Sequence, residues 1–186
     1  MGLVALAVWV LAVALIAARI GLLHIQGLHP LRFGNEDKRN WAIIPFALFY
    51  AYVIVSGAFA LPHMGTVLFR SEAVSLLGII VCTLALGMLA WSLISFGQSF
   101  RVGIDSDQPG KLVTSGVFAL SRNPMYTALD AILVGVFLIS PNWILLLFVI
   151  LGFWMYNREI QHEETALQKI YGAQYREYRQ KVRRYL

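Results

Sequence analysis

Residues 73–96 read AVSLLGIIVCTLALGMLAWSLISF, an apolar run from Ala73 to Phe96 without a charged residue. A helix needs about 20 mostly apolar residues to cross about 30 Å of hydrocarbon. The run is long enough to do so, and Trp91 lies near its end, where amphipathic rings favour the membrane interface. The stretch therefore predicts a membrane-spanning helix, and the rest of the chain is interpreted around it.

Two further runs upstream have the same character. Residues 2–23 contain one charge, Arg19, near the far end, and residues 41–61 contain none. The first run is not typical of a cleaved signal peptide, because no Lys or Arg precedes it and it is long for such a segment. Together these runs predict three full transmembrane helices in the first 96 residues.

The composition supports this interpretation. The 186 residues are 59% hydrophobic and 13% charged, whereas a soluble domain is typically about 45–50% apolar and about 25% charged. A soluble enzyme and a disordered chain are therefore disfavoured. The single Cys82 excludes a disulfide framework within one chain and is typical of a small core residue. The formal net charge of +5 indicates basic loops of a membrane protein, not a nucleic-acid partner.

Residues 125–156 form a fourth apolar region, which Ser140-Pro141-Asn142 interrupts. Each arm would make roughly 21–24 Å of helix, short of a full crossing. The region predicts a short helical hairpin whose turn is surrounded by protein, because exposed turn backbone is costly in lipid. The predicted fold is all-α and polytopic, with five membrane helices in all and a cytoplasmic C-terminal amphipathic helix. Residues 1–186 form a single domain, in which 1–96 are the three-span anchor and 97–186 carry the unusual polar residues.

The basic residues predict the orientation. All but Arg19 and Arg70 of the 15 Lys and Arg residues fall in segments 24–40, 97–124 and 157–186. Three full spans place these segments on one side, and the positive-inside rule makes that side cytoplasmic. The N-terminus is then outside, and Arg19 lies at the inner end of the first span, where it can snorkel.

Polar residues at the start of the hairpin are the first candidates for a binding site. Pro124 suits the first position of a helix, which makes Asn123 a natural N-cap. The same geometry turns free N–H groups toward an anionic ligand group, and Arg122 could pair with a carboxylate or phosphate or with a lipid headgroup. Asp130 lies four residues after Tyr126, one turn deeper in the hairpin, where an acid is either functional or a shallow interfacial residue.

The tail after Tyr156 has a helical stripe of apolar and aromatic residues, which is typical of packing against the membrane domain. Glu163 and Glu164 are adjacent, so they point about 100° apart on a helix and do not form a paired-carboxylate dyad. The combination of His162 with two Glu residues matches no standard metal spacing, and the sequence predicts no metal site.

The order of these motifs resembles the isoprenylcysteine carboxyl methyltransferase and phospholipid methyltransferase superfamily. The matching pieces are Lys111-Leu112-Val113-Thr114-Ser115-Gly116-Val117-Phe118, then Arg122-Asn123-Pro124-Met125-Tyr126, then Glu163-Glu164-Thr165-Ala166-Leu167, and finally Tyr171-Gly172-Ala173-Gln174-Tyr175-Arg176-Glu177-Tyr178. The likeness covers residues 97–184, and the first 96 residues match only as apolar spans.

The resemblance implies a helical membrane methyltransferase with a cytoplasmic pocket for S-adenosylmethionine. The residues that would hold the cofactor are Leu112, Val113, Gly116, Arg122, Asn123, Pro124, Tyr126, Glu163 and Glu164. A zwitterionic cofactor with a cationic sulfonium suits carboxylates, backbone donors and aromatic faces. The acceptor would be a lipid or other lipophilic small molecule that enters from the bilayer. Tyr126, Arg158 and Glu163 are the candidates, by position, for taking its proton.

Two departures from the family pattern concern the acceptor. Asn123 replaces the usual His, and it cannot carry a proton near neutral pH. Relatives that methylate carboxyl groups place an Arg four residues before the first Glu, but Glu159 stands at that position and the Arg is at Arg158. Asp130 and Glu159 together would suit a cationic amine acceptor, whereas a prenyl-type carboxylate would suit an Arg.

Two other classes of function remain open at this level. Sterol reductases carry a similar motif beside a nicotinamide cofactor, although their membrane domain is usually longer. A non-catalytic membrane scaffold is the other alternative. The oligomeric state does not follow from the sequence.

Overall fold

The computed structural model describes residues 1–28, 43–59, 61–62, 64–99 and 110–186. Across these residues the fold is all-helical. The helices are α1 (Gly2–Ile25), α2 (Ile43–Phe59), α3 (Glu72–Phe96), α4 (Pro124–Ile139), α5 (Trp143–Tyr171) and α6 (Ala173–Lys181), with 3-10 turns at Gly97–Ser99 and Gly116–Ala119.

Three of these helices, α1, α3 and α5, are long and apolar enough to cross a membrane. The first and third predicted spans are confirmed as long apolar helices. The second predicted span, 41–61, corresponds to α2, which has 17 residues, while residues 41, 42 and 60 lie outside the described part. The hairpin is present as α4 and α5, which meet at Ser140-Pro141-Asn142.

The sequence predicted a C-terminal amphipathic helix separate from the hairpin, and this boundary is wrong. The second arm of the hairpin does not end near Tyr156 but continues as α5 to Tyr171. The polar stretch from Asn157 changes the environment of the helix but contains no Gly or Pro that would end it. The chain turns only at Gly172, which has φ 53°, and the short helix α6 follows.

The segment between α2 and α3 contacts the hairpin turn, in line with the sequence prediction that protein lies against it. The Asn142 side chain accepts a hydrogen bond from the N–H of Ile144 (2.8 Å) and donates one to the carbonyl of Met64 (2.9 Å). The N–H of Leu68 donates to the carbonyl of Pro141 at 2.9 Å. The segment between α2 and α3 therefore satisfies polar groups of the turn that lipid would leave without partners.

A hydrogen bond ties two membrane helices at the predicted cytoplasmic side. The Arg19 guanidinium, near the end of α1, donates to the carbonyl of Gly97, directly after α3. The C-terminal ends of α1 and α3 therefore lie together, next to the segment that leads into the polar half of the chain.

Helices α3 and α4 approach closely at two glycines. A Cβ atom at Gly78 would lie 2.7 Å from the carbonyl oxygen of Gly135 and 2.8 Å from the backbone nitrogen of Ile139. A Cβ atom at Gly135 would meet the Cys82 sulfur. Cys82 is fully buried at this crossing, in agreement with its predicted role as a small core residue.

We expect Gly78→Ala to separate α3 from α4 and to lower the free energy of unfolding by roughly 1–3 kcal/mol, because the added methyl group meets backbone that cannot rotate away. Gly87→Ala is the matched control on the same helix, since a Cβ atom there has no neighbour within 4 Å. Thermal unfolding of both variants in detergent measures the difference. Equal midpoints for the two variants would contradict the close crossing.

Candidate active site

A buried carboxylate joins three separate parts of the polar half of the chain. Glu164 of α5 accepts hydrogen bonds from the Arg122 guanidinium at 2.8 Å and from the Arg184 guanidinium at 2.7 Å. The Arg122 and Glu164 side chains are only 8% and 6% exposed. The hydrogen bond that Arg184 donates to Glu164 raises the pKa of Arg184 above its ordinary value. This cluster, Arg122–Glu164–Arg184, holds the start of α4 against α5 and against the C-terminal segment, residues 182–186.

Backbone groups of the C-terminal segment complete this attachment. Arg122 donates from its guanidinium to the carbonyl of Val182 at 2.6 Å, and its N–H donates to the carbonyl of Arg183 at 2.9 Å. The Asn123 side-chain amide donates to the carbonyl of Arg184 at 3.2 Å. The segment therefore lies directly across the first residues of α4.

Asn123 occupies the predicted N-cap position, but its side chain does not cap the helix. The amide turns toward Glu164 and Arg184 instead. By helix geometry, the N–H groups of Met125 and Tyr126 have no acceptor within α4. The start of the helix therefore keeps the free donors that the anion-binding interpretation requires.

A large cavity lies beside this cluster, at the junction between the membrane helices and the polar cap, which comprises residues 110–122, the polar end of α5 and the chain from α6 to residue 186. Its empty space, including its open mouth, is about 1030 Å³. Its walls come from the end of α3, the loop at 110–113, the start of α4, the polar half of α5, and α6. The lining residues are Phe96, Ser99, Gly110, Lys111, Leu112, Val113, Phe118, Arg122, Asn123, Pro124, Met125, Tyr126, Glu163, Leu167, Ile170, Tyr171, Tyr175 and Tyr178.

A short hydrogen bond between two cavity residues fixes a carboxylate in the wall. The Tyr126 hydroxyl donates to Glu163 Oε1 at 2.6 Å. The Tyr126 ring also packs against the Tyr156 ring, with centroids 5.7 Å apart. Tyr126 on α4 thus orients the Glu163 side chain on α5. The other carboxylate oxygen of Glu163 accepts no hydrogen bond from Tyr126.

Tyrosines of the C-terminal half close the cavity. The Tyr171 hydroxyl donates to the carbonyl of Gly110 at 2.5 Å, which attaches the 110–113 loop to the end of α5. The Tyr178 hydroxyl donates to the carbonyl of Phe118 at 2.7 Å. Burial raises the pKa of Tyr175 to about 12, so its phenol is neutral in the wall of the cavity.

The structure brings most of the predicted cofactor residues together. Seven of them line the cavity, namely Leu112, Val113, Arg122, Asn123, Pro124, Tyr126 and Glu163. Two do not: Glu164 is engaged by the two arginines, and Gly116 lies under the loop with φ 64°, close to the Ser95 side chain.

The remaining predicted residues lie outside this cavity. Arg158 is exposed, and its guanidinium carbon lies 5.7 Å from the centroid of the Trp154 ring. Glu159 lies near Tyr126 and Glu163 without lining the space. Asp130 is buried beside a different cavity.

Several functional candidates were missed at the level of sequence. Tyr171, Tyr175 and Tyr178 were interpreted as packing residues, yet they both pack and line the cavity. Their spacing on the helical stripe was the available signal. Arg184 carried no signal beyond its place in a basic tail.

Comparison with known proteins identifies the family. The model of the phospholipid methyltransferase family matches residues 73–174. The chain is 26% identical over 155 residues to a probable protein-S-isoprenylcysteine O-methyltransferase of Oryza sativa subsp. indica, covering 79% of this chain and 81% of the relative. It is 26% identical over 158 residues to the protein-S-isoprenylcysteine O-methyltransferase of Schizosaccharomyces pombe, covering 80% and 66%.

A shorter match has higher identity. Protein-S-isoprenylcysteine O-methyltransferase B of Arabidopsis thaliana is 33% identical over 94 residues, which are 49% of this chain and 48% of that protein. The family match begins with α3 and ends with the turn into α6, so it contains both the hairpin and nearly all of the cavity. The chain belongs to the phospholipid methyltransferase family.

Proposed function

We propose that this protein is an integral-membrane methyltransferase that transfers a methyl group from S-adenosylmethionine to a lipophilic acceptor. The observation that carries the proposal is the cavity at the junction of the membrane helices and the polar cap. It combines an ionic and amide end, at Arg122, Asn123 and Glu163, with an aromatic and aliphatic wall. Such a mixed pocket suits a ligand with a charged amino-acid end and a flat base.

The residues present fit S-adenosylmethionine. The free N–H groups at the start of α4 and the Arg122 guanidinium suit the carboxylate of its amino-acid end. Glu163 and the tyrosine faces suit its cationic groups. Leu112 and Val113, in the 110–113 loop, would contact the adenosine. Pro124, at the start of α4, lines the same cavity.

The chain's own residues supply positioning and exclusion of water. S-adenosylmethionine supplies, when bound, an electrophilic methyl group on sulfur. Transfer of that methyl group to the acceptor's nucleophilic atom would leave S-adenosylhomocysteine, so proximity and desolvation would account for most of the catalysis. A hydrogen bond joins Tyr126 and Glu163 in the wall of the cavity, and we expect this pair to take the proton that the acceptor loses. We do not propose Arg158 as a proton acceptor, because its side chain is exposed and packs on the Trp154 ring.

The relatives and the family name point to acceptors with long apolar chains. The names of the relatives specify an S-isoprenylcysteine, and the name of the family specifies a phospholipid. For this chain we propose an acceptor that reaches the cavity from the bilayer, since the cavity adjoins the hairpin. The positive-inside rule supports a cytoplasmic cavity and C-terminus and an N-terminus outside. We propose that residues 1–186 act as one catalytic domain.

The test is calorimetric titration of the detergent-solubilised protein with S-adenosylmethionine, S-adenosylhomocysteine and NADPH. We expect both sulfur compounds to bind with micromolar affinity, which corresponds to about −8 kcal/mol, and NADPH not to bind. Binding of NADPH alone would replace the proposal with a reductase. Absence of all binding in folded protein would also refute the proposed cofactor. Labelled methyl transfer into lipid extracts then identifies the acceptor.

A further inference from the structure

The C-terminal segment is attached to α5 at two points. The Arg184 guanidinium donates to Glu164 Oε2 at 2.7 Å, and the Tyr185 hydroxyl donates to Asn157 Oδ1 at 3.0 Å. Asn157 and Glu164 are seven residues apart on one helix, so they share a face and lie about 10 Å apart along the axis. The segment therefore runs along α5 from the polar cap toward the membrane helices.

The same segment contacts the start of α4, where two residues line the large cavity. The carbonyl of Val182 accepts a hydrogen bond from the Arg122 guanidinium at 2.6 Å. The carbonyl of Arg184 accepts one from the Asn123 side-chain amide at 3.2 Å and another from the Ser121 hydroxyl at 3.2 Å. Because Arg122 and Asn123 line the cavity, the position of the segment determines how these two side chains are held in its wall.

The Arg122 guanidinium has one donor more than the described part of the chain uses. It carries five N–H groups. Glu164 Oε1 accepts two of them, from Nε at 3.2 Å and from Nη2 at 2.8 Å. The carbonyls of Arg179 and Val182 accept two more from Nη1, at 3.2 and 2.6 Å. Since the side chain is only 8% exposed, the remaining N–H on Nη2 is left for an acceptor bound in the cavity.

Release of the segment would disturb this arrangement. Arg122 and Asn123 would each lose a carbonyl acceptor, and Glu164 would lose the Arg184 guanidinium. A buried donor without an acceptor is costly, so the two cavity side chains would turn toward other partners. The donor that Arg122 offers to a ligand therefore depends on the segment being in place.

The segment is also the part of this arrangement that can open while the rest of the fold persists. None of its five residues is buried. The Arg184 side chain is 32% exposed, against 8% for Arg122. Elements with few buried contacts open locally at a lower free energy than global unfolding requires.

We propose that the C-terminal segment is a strap that closes when a ligand binds in the large cavity, and that Arg184 is the residue that positions it. In the closed state the segment holds Arg122 and Asn123 in the arrangement that leaves one Arg122 donor for the ligand. A ligand that prefers this arrangement favours closure, and by linkage closure raises ligand affinity by the same factor. The identity of the ligand as S-adenosylmethionine rests on the proposed function, whereas the closure of the segment does not.

Hydrogen exchange measured by mass spectrometry follows the segment, because the backbone N–H of Arg122 donates to the carbonyl of Arg183 at 2.9 Å. This amide exchanges when the segment opens. We expect saturating S-adenosylhomocysteine to slow its exchange by about tenfold, within the usual range of coupling between two sites. Unchanged exchange in wild-type protein that binds S-adenosylhomocysteine would overturn the proposal.

Substitutions of two neighbouring arginines test the positioning role. Arg184→Gln should speed exchange of the Arg122 amide in ligand-free protein and weaken S-adenosylhomocysteine by about tenfold in calorimetric titration. Arg184→Lys keeps the charge without the planar fork, so its affinity should lie between these values. Arg183→Gln is the matched control, because it removes the same charge from an exposed side chain, and it should change neither quantity. Equal effects of Arg183→Gln and Arg184→Gln would contradict the assignment.

A double-mutant cycle distinguishes positioning from a general loss of stability. Arg122→Lys keeps a cation in the cavity wall but lacks the guanidinium that the segment holds. In this background Arg184→Gln should weaken S-adenosylhomocysteine by much less than tenfold. Fully additive losses would show that Arg184 does not act through Arg122.

Exchange in ligand-free protein separates this inference from the proposed function. If wild-type protein bound no S-adenosylhomocysteine, the proposed cofactor would be refuted, while faster exchange in Arg184→Gln alone would still support the role of the segment. If NADPH bound instead, it should slow exchange of the Arg122 amide in the same way. Binding of S-adenosylhomocysteine with equal exchange in Arg183→Gln and Arg184→Gln would refute the strap and leave the methyltransferase in place.

Discussion

Glu164→Gln is expected to destabilise the protein by about 3–5 kcal/mol, because it leaves two arginine side chains without their shared carboxylate. Arg122 is 8% exposed in this cluster, so water cannot replace the lost partner. The expected fall in the thermal midpoint is roughly 10 °C. The start of α4 and the C-terminal segment should loosen together, and limited proteolysis near Val182 measures that loosening directly.

Glu177→Gln is the matched control for this substitution. Glu177 also pairs with a cation, Lys181 at 2.6 Å, but its side chain is 67% exposed. Water and salt screen an exposed i,i+4 ion pair, so its loss should barely move the thermal midpoint. Similar shifts for the two variants would show that the buried cluster does not fasten the site.

Glu163→Gln is expected to have the opposite profile, with stability retained and catalysis lost. The substitution keeps the size of the side chain and an acceptor for the Tyr126 hydroxyl, but removes the negative charge from the cavity. We expect methyl transfer to fall by about 100-fold, as when one preorganised electrostatic group is lost from an active site. Affinity for S-adenosylmethionine should fall more than affinity for S-adenosylhomocysteine, because only the former carries a sulfonium charge.

Tyr126→Phe is the companion variant for this measurement. It retains the Glu163 charge and removes only the hydrogen bond that orients it, so the preference for the sulfonium should survive. Calorimetry with both sulfur compounds gives the ratio of affinities for each variant. An unchanged ratio in Glu163→Gln would exclude a role for this carboxylate next to the sulfonium.

The membrane helices could be predicted where long apolar runs contain at most one charged residue. α1 and α3 follow such runs closely, since burial of the backbone in lipid requires helix along the whole stretch. α5 could not be delimited in this way. Its polarity changes after Tyr156, but polarity determines where a helix lies and not where it ends, and Gly172 is the residue that ends it.

The candidate site was predictable in its residue types and less so in its geometry. The adjacent pair Glu163 and Glu164 was expected to diverge, and the structure separates them: the first contacts Tyr126 and the second contacts two arginines. The partner Arg184 lies 20 residues further along the chain. Only tertiary packing decides such a pairing, and the same is true of the direction in which the Asn123 side chain turns.

Under the proposed function, the continuity of α5 sets a length requirement on the acceptor. Phe153, whose side chain is 48% exposed, and Glu163, in the wall of the large cavity, belong to one uninterrupted helix. Ten residues of helix place them roughly 15 Å apart along the axis, and no hinge between them can shorten that distance. The reactive atom of a substrate anchored by its chain in the bilayer must therefore extend a fixed height beyond the anchor. Selectivity among lipids would then depend on the length of the polar headgroup.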